Sequence, residues 1–191
     1  MNAPPGAFNT QTMENKTSND NREKKHSLLN EFFIQELRDI YGAEKYLTMA
    51  LPRLQEAATS PDLAMAFEDH SEVTQIHIDR LEQIFDILDE PADAKRCEGM
   101  EGLIKEAESA IKETQQGTFT RDVGLIVSAQ KVEHYEIAAY GTLRQLARQM
   151  GHKEIAELLE ETLEEEKKTD MLLSNLAETM IVDEAQQELQ E

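Results

Sequence analysis

Apolar residues recur every three or four positions along most of this chain, the spacing that keeps one face of an α-helix buried. From Ser27 to about Ala58, Leu29, Phe33, Ile40, Leu47, Leu51 and Leu54 follow it, and Ser27 is placed to cap the first turn. Pro52 falls inside this run, which predicts a kink or a freed carbonyl at Thr48, because proline has no N–H and crowds the preceding turn. Thr59-Ser60-Pro61 reads as a stop, an N-cap and a first-turn proline. A second helix then follows through Leu63, Phe67, His70, Thr74, His77, Leu81, Ile84 and Leu88. So short a connection makes the two an antiparallel hairpin.

Asp89-Glu90-Pro91-Ala92-Asp93 ends the second helix, and a long connection follows. It holds a shorter helical piece over about Glu98 to Gln115, whose start is weakened by Gly99 and Gly102. A third long helix is expected from about Thr120 to Met150, with Gly151 as its left-handed cap, and a fourth from about His152 to Ile181. No segment alternates with a period of two, so no sheet is expected. The fold class is all-α: a ferritin-like antiparallel four-helix bundle, two helical hairpins joined by a long crossover that contains a short helix. Residues 1–26 are expected to form a disordered polar tail, residues 27–181 the bundle, and residues 182–191 an acidic C-terminal tail.

Charge narrows the partners. Nineteen Lys and Arg stand against 39 Asp and Glu, a formal charge of −20, which repels nucleic acid and anionic lipid and attracts cations. The one cysteine, Cys97, forms no internal disulfide and no thiolate metal site. No signal-peptide core and no membrane-length apolar run is present, so a cytoplasmic protein is expected, with no membrane and no nucleic acid as partner.

Against this background one stretch stands out. Gln130-Lys131-Val132-Glu133-His134-Tyr135-Glu136-Ile137-Ala138-Ala139-Tyr140-Gly141-Thr142-Leu143 places Glu133, Glu136 and Tyr140 in one helical stripe. Buried carboxylates are costly unless paired, protonated or bound to a cation. Candidate partners occur on the other three long helices. His70 and His77 share the apolar face of the second helix, where each alone is more often a satisfied core histidine. Asp39 and Glu44 lie on the first helix, and Glu166 and Asp170 stand one turn apart between Leu163 and Leu173 on the fourth. The rest of the acidic run from Glu160 to Glu165 reads as a solvated face, and His134 as an orienting neighbour of a carboxylate. The spacing from Asp39 to Tyr46 matches that from Glu133 to Tyr140, a weak sign of internal duplication. An additional Glu23-x-x-His26 in the polar tail reads as accidental. The candidate metal ligands are therefore Asp39, Glu44, His70, His77, Glu133, Glu136, Glu166 and Asp170. A donor set of this kind suits one or two ions of iron or manganese and calls for no organic cofactor.

Three further segments join the 130–143 stretch: Asp39-Ile40-Tyr41-Gly42-Ala43-Glu44-Lys45, Cys97-Glu98-Gly99-Met100-Glu101-Gly102-Leu103-Ile104, and Thr162-Leu163-Glu164-Glu165-Glu166-Lys167-Lys168-Thr169-Asp170. Together they resemble the YciE/YciF family of bacterial ferritin-like stress proteins, over about residues 28 to 180. The resemblance implies a rubrerythrin-like bundle, a homodimer, a metal site and a role in stress responses. Ferritin-like di-iron proteins carry Glu-x-x-His on two helices, whereas the matching places here read Thr74-x-x-His77 and Glu166-x-x-Thr169, and Asp39 stands where glutamate is usual. Three functions fit this pattern: a metal-binding stress protein, a non-catalytic structural protein with a polar core network, and a di-metal oxidase, peroxidase or manganese-catalase-like enzyme.

Overall fold

The structure is a computed structural model and describes residues 27–188, with the backbone alone at Met180. The expected 1–26 tail, its Glu23-x-x-His26 pair and the last three residues lie outside the described residues. Among the described residues six α-helices follow one another: α1 Leu28–Ala57, α2 Pro61–Leu88, α3 Glu98–Glu113, α4 Phe119–Met150, α5 Lys153–Leu176 and α6 Val182–Gln187, the last two separated by a π-helical segment at Ala177–Ile181. No strand occurs among the described residues. The architecture is the all-α, ferritin-like bundle: α1 with α2 and α4 with α5 as hairpins, and α3 inside the crossover.

Helix boundaries follow local chemistry. Ser27 Oγ accepts the amide of Asn30, 3.1 Å away, and opens α1, which then runs unbroken through Pro52. Its first turns expose Leu29, which the hydrophobic pattern had counted as inward. Pro61 occupies the first turn of α2, but the Ser60 side chain makes no cap. The amides of Thr59 and Ser60 are instead accepted by the two oxygens of Asp122 on α4, at 2.7 and 2.6 Å. Cys97 Sγ caps α3, Thr118 Oγ1 caps α4, and Gly151, at φ 86°, ends α4 in the left-handed region.

Two compact units divide the chain at Gln35, and the second, Glu36–Glu191, holds every residue of the site described below. Within it α5 packs along both α4 and α2, and α3 packs along α4. The Tyr41 ring meets Phe85 edge-on at 5.7 Å, and its hydroxyl donates to Glu82, tying α1 to α2. The crossover passes close over α1: the Lys95 amide donates to the Arg38 carbonyl at 3.0 Å, and a Cβ on Gly42 would sit 1.9 Å from the Lys95 carbonyl oxygen. Gly42 is thus a clearance position. The segment after Ile181, which composition marks as a tail, is helical through Gln187. Glu188 then accepts the amides of Phe119 and Thr120 at the start of α4.

Candidate metal centre

Four helices deliver six polar side chains into the bundle interior. Glu44 comes from α1, His70 and His77 from α2, Glu133 and Glu136 from α4, and Glu166 from α5, and all six are buried. The spacing explains the aim. His70 and His77 are two helical turns apart, and Glu133 and Glu136 are nearly one, so each pair shares an inward face that also carries large apolar side chains. Ligand atoms of His70, Glu133, Glu136 and Glu166 all lie within 4.8 Å of one another, as do those of Glu44, His77 and Glu166. Glu166 belongs to both groups, and so links them.

Two candidate residues point elsewhere. Asp39 lies five residues before Glu44, about 140° around the helix. Its side chain is 22% exposed and sits 3.6 Å from Lys95, and Oδ2 accepts the Tyr135 hydroxyl at 3.1 Å. That hydroxyl also stands 3.0 Å from Cys97 Sγ. Asp170, 21% exposed, accepts from Gln130 Nε2 at 3.3 Å and lies 3.3 Å from His134, whose own side chain is 70% exposed. His134 thus neighbours a carboxylate, but one outside the centre. The place that sequence comparison gave to Asp39 is filled by Glu44, and Tyr140 donates its hydroxyl across the bundle to Glu44. The matched spacing of Asp39 to Tyr46 therefore does not describe the centre.

The absent Glu-x-x-His members acquire a structural answer. Thr74 Oγ1 donates back to the carbonyl of His70, and Thr169 Oγ1 to that of Glu165, so neither hydroxyl enters the centre. Their places in the count are taken by Glu133 and His70. Four carboxylates and two imidazoles is the composition of the ferritin-like dinuclear set, here with both imidazoles on α2 and two carboxylates on α4.

A polar collar surrounds the six. Glu165 Oε2 lies 3.1 Å from His77 Nε2 and is gripped by Arg80 through two contacts, at 2.6 and 3.0 Å. Arg80 also donates to Thr162 Oγ1 at 2.9 Å. Sequence reasoning left Glu165 on the solvated face and did not name Arg80. The available signal was their spacing, since Arg80 follows His77 by one turn and Glu165 adjoins Glu166. Tyr140 meets His77 edge-on, with ring centroids 6.2 Å apart.

Electrostatics show what this arrangement costs. Burial lifts the carboxyls of Glu44 and Glu166 above the usual carboxylate range, and that of Glu136 well above it. Burial works against charge on the imidazoles too, yet Glu133 beside His70 raises it to about 9, and Glu166 and Glu44 beside His77 raise it to about 10. These charge pairs are not completed by aligned hydrogen bonds. His70 Nε2 is 3.3 Å from Glu133, and His77 Nδ1 is 3.0 Å from Glu166 and 3.4 Å from Glu44. Even so, both nitrogens lack an aligned hydrogen bond, as do Glu44 Oε2, Glu133 Oε2 and both oxygens of Glu136 and of Glu166. Buried polar atoms left this way are expensive, and lone pairs converging without mutual hydrogen bonds are what a cation would satisfy. The donor set fits iron or manganese.

These features define a class: a ferritin-like helical bundle with a buried carboxylate and histidine cluster at its centre. The chain belongs to the family described as Domain of unknown function (DUF892), which matches residues 28–186. It is similar to Protein YciF of Escherichia coli K12, with 46% identity over 153 residues, 78% of this chain and 90% of that protein. The crystal structure of the E. coli stress protein YciF aligns with a TM-score of 0.77 at 42% identity, covering 85% of this chain and 99% of that one. YcfI of Rhodopseudomonas palustris, a protein with a proposed structural role, aligns at 0.75 and 39% identity, over 78% of this chain and 94% of its own. A Xanthomonas campestris protein shares the fold at 21% identity and a TM-score of 0.64.

Proposed function

We propose that this protein binds a pair of divalent cations, iron or manganese, in the bundle interior and serves the cell in metal or oxidant handling under stress. The observation that carries the reading is the pair of buried donor groups sharing Glu166, with oxygens and nitrogens that make no aligned hydrogen bond within the protein. The stress assignment draws on the similarity to the E. coli stress protein. No helix among the described residues is long and apolar enough to cross a membrane, and a cytoplasmic setting suits the proposed role.

Such ions would supply a site where electrons are exchanged with dioxygen or peroxide. The chain's own residues set the terms of that exchange. All six donors are buried, so the centre admits small molecules and excludes an extended substrate. Glu165, itself gripped by Arg80, holds the far nitrogen of His77, which leaves Nδ1 turned toward Glu44 and Glu166. The Tyr140 hydroxyl holds one oxygen of Glu44, which leaves Oε2 free.

Anaerobic titration of the metal-free protein with Fe(II), and separately with Mn(II), tests the reading by stoichiometry. Saturable binding in the wild type, lost in a Glu133→Ala, Glu166→Ala double variant, is expected. Binding that never saturates, or that survives the double change, overturns it. A structural role without a cation is the second reading, favoured by the hydrogen-bonded collar of Glu165, Arg80 and Thr162. Under that reading neither metal nor chelator moves the melting temperature, because a ligand of the folded state must raise it.

A further inference from the structure

A small pocket, partly open to solvent at its Arg53 and Glu108 edge, lies beneath the crossover helix, between α1, α3 and α4. Its volume is about 50 Å³, and Leu47, Leu54, Ile104, Ala107, Ala129 and Val132 supply most of its wall. Three polar side chains, Arg53, Glu108 and Ser128, also reach it, and each is held by a partner. Arg53 Nη1 donates to Glu108 Oε1 at 2.6 Å, and with the Arg53 side chain 55% exposed this pair sits at the solvent edge. Ser128 Oγ donates to the Gly124 carbonyl at 2.9 Å. An ordered water needs two to four polar partners, and apolar cavities without them stay dry and accept apolar guests.

Size selects the guest. An apolar cavity of about 150 Å³ takes an aromatic ring or a xenon atom; this one has about a third of that volume, too little to enclose a ring or an acyl chain. What remains is a molecule of two or three heavy atoms with no polar demand. The position is also informative, because Val132 directly precedes Glu133 and Leu47 lies one turn beyond Glu44. The cavity wall and the wall of the carboxylate and histidine cluster are built from the same turns of α1 and α4.

We infer that this cavity is a binding site for a small nonpolar gas, dioxygen, held beside the buried centre. Its use by the centre rests on the function proposed above, whereas occupancy of the cavity does not. The test therefore uses the metal-free full-length protein under dissolved dioxygen, whose unpaired electrons speed the relaxation of methyl groups it touches. Methyls of Leu47 and Val132 are expected to relax several-fold faster than those of Leu63 and Ile84, which are at least as well buried but line no part of this cavity. Ala129→Leu and Ala107→Val, which fill the cavity from two different helices, should each return Leu47 and Val132 to the rate of Leu63 and Ile84. Equal rates in the wild type, or an enhancement that survives both filled variants, overturn the inference.

Discussion

His77 Nε2 stands 3.1 Å from Glu165 Oε2, and the same carboxylate is clamped by Arg80 at 2.6 Å. The imidazole is thereby held from its solvent side, with Nδ1 facing Glu44 and Glu166. Loss of such a supporting carboxylate typically weakens metal affinity by about 10- to 100-fold. Glu165→Ala is expected to fall in that range, and Glu165→Gln, which keeps an acceptor oxygen, to lose less. Competition against a chelator of known affinity measures both. Equal affinity in wild type and Glu165→Ala would show that His77 is positioned by packing alone.

Protons should stabilise the metal-free protein. His70 and His77 have folded-state values raised to about 9 and about 10, and Glu44, Glu136 and Glu166 are raised by burial. A raised group contributes stability that is fully present below its unfolded value and lost as pH climbs through the folded one. For the two histidines the loss runs from about pH 7 to about pH 10. The lowered carboxyls of Glu101, Glu164, Glu165 and Glu188 are ionised throughout that window and add no slope. Thermal melts of chelator-treated protein should therefore show a midpoint falling as pH rises. Since ligands must shed protons to bind a metal, stabilisation by Mn(II) should grow over the lower part of the same window.

How much of this was legible in the sequence depends on how far apart the cooperating residues lie. The long helices were readable because periodicity, Pro61 and Gly151 act within a few residues. Glu133, Glu136, His70 and His77 were readable because each shares a stripe with large apolar side chains. Asp39 and Asp170 were misplaced because spacing along one helix leaves open which neighbour a carboxylate will face: Tyr135 claims the first, Gln130 and His134 the second. The Asp122 clasp, the Gly42 clearance and the Arg80 grip join residues 53 to 85 positions apart, and no local pattern encodes such pairings.

Asp122 makes the α1–α2 turn depend on α4. It is fully buried, and its two oxygens accept the amides of Thr59 and Ser60. Asp122→Ala leaves both amides without their acceptor, at a cost of about 2–4 kcal/mol. Asp122→Asn keeps one acceptor oxygen and should recover part of that loss. Urea denaturation gives both values. A change under about 0.5 kcal/mol for the alanine variant, the range of ordinary surface substitutions, would mean that the turn is held by other contacts.

Gly42 and Gly102 should respond in opposite directions to the same substitution. A methyl group on Gly42 meets the Lys95 carbonyl at 1.9 Å, and that partner is backbone rather than a side chain that can swing away. The crossover must lift, stretching the 3.0 Å bond from the Lys95 amide to the Arg38 carbonyl. Overpacking of this kind costs about 1–3 kcal/mol. On Gly102, inside α3, the methyl group meets nothing within 4 Å. There alanine only removes backbone freedom from the unfolded chain, and the gain is about 0.5–1 kcal/mol. Denaturation midpoints should therefore fall for Gly42→Ala and rise for Gly102→Ala. Hydrogen exchange separates local lifting from general unfolding, because the Lys95 amide in Gly42→Ala should exchange faster while amides in the middle of α4 keep their protection. An unchanged Lys95 rate would mean that α1 shifts beneath a crossover that stays in place.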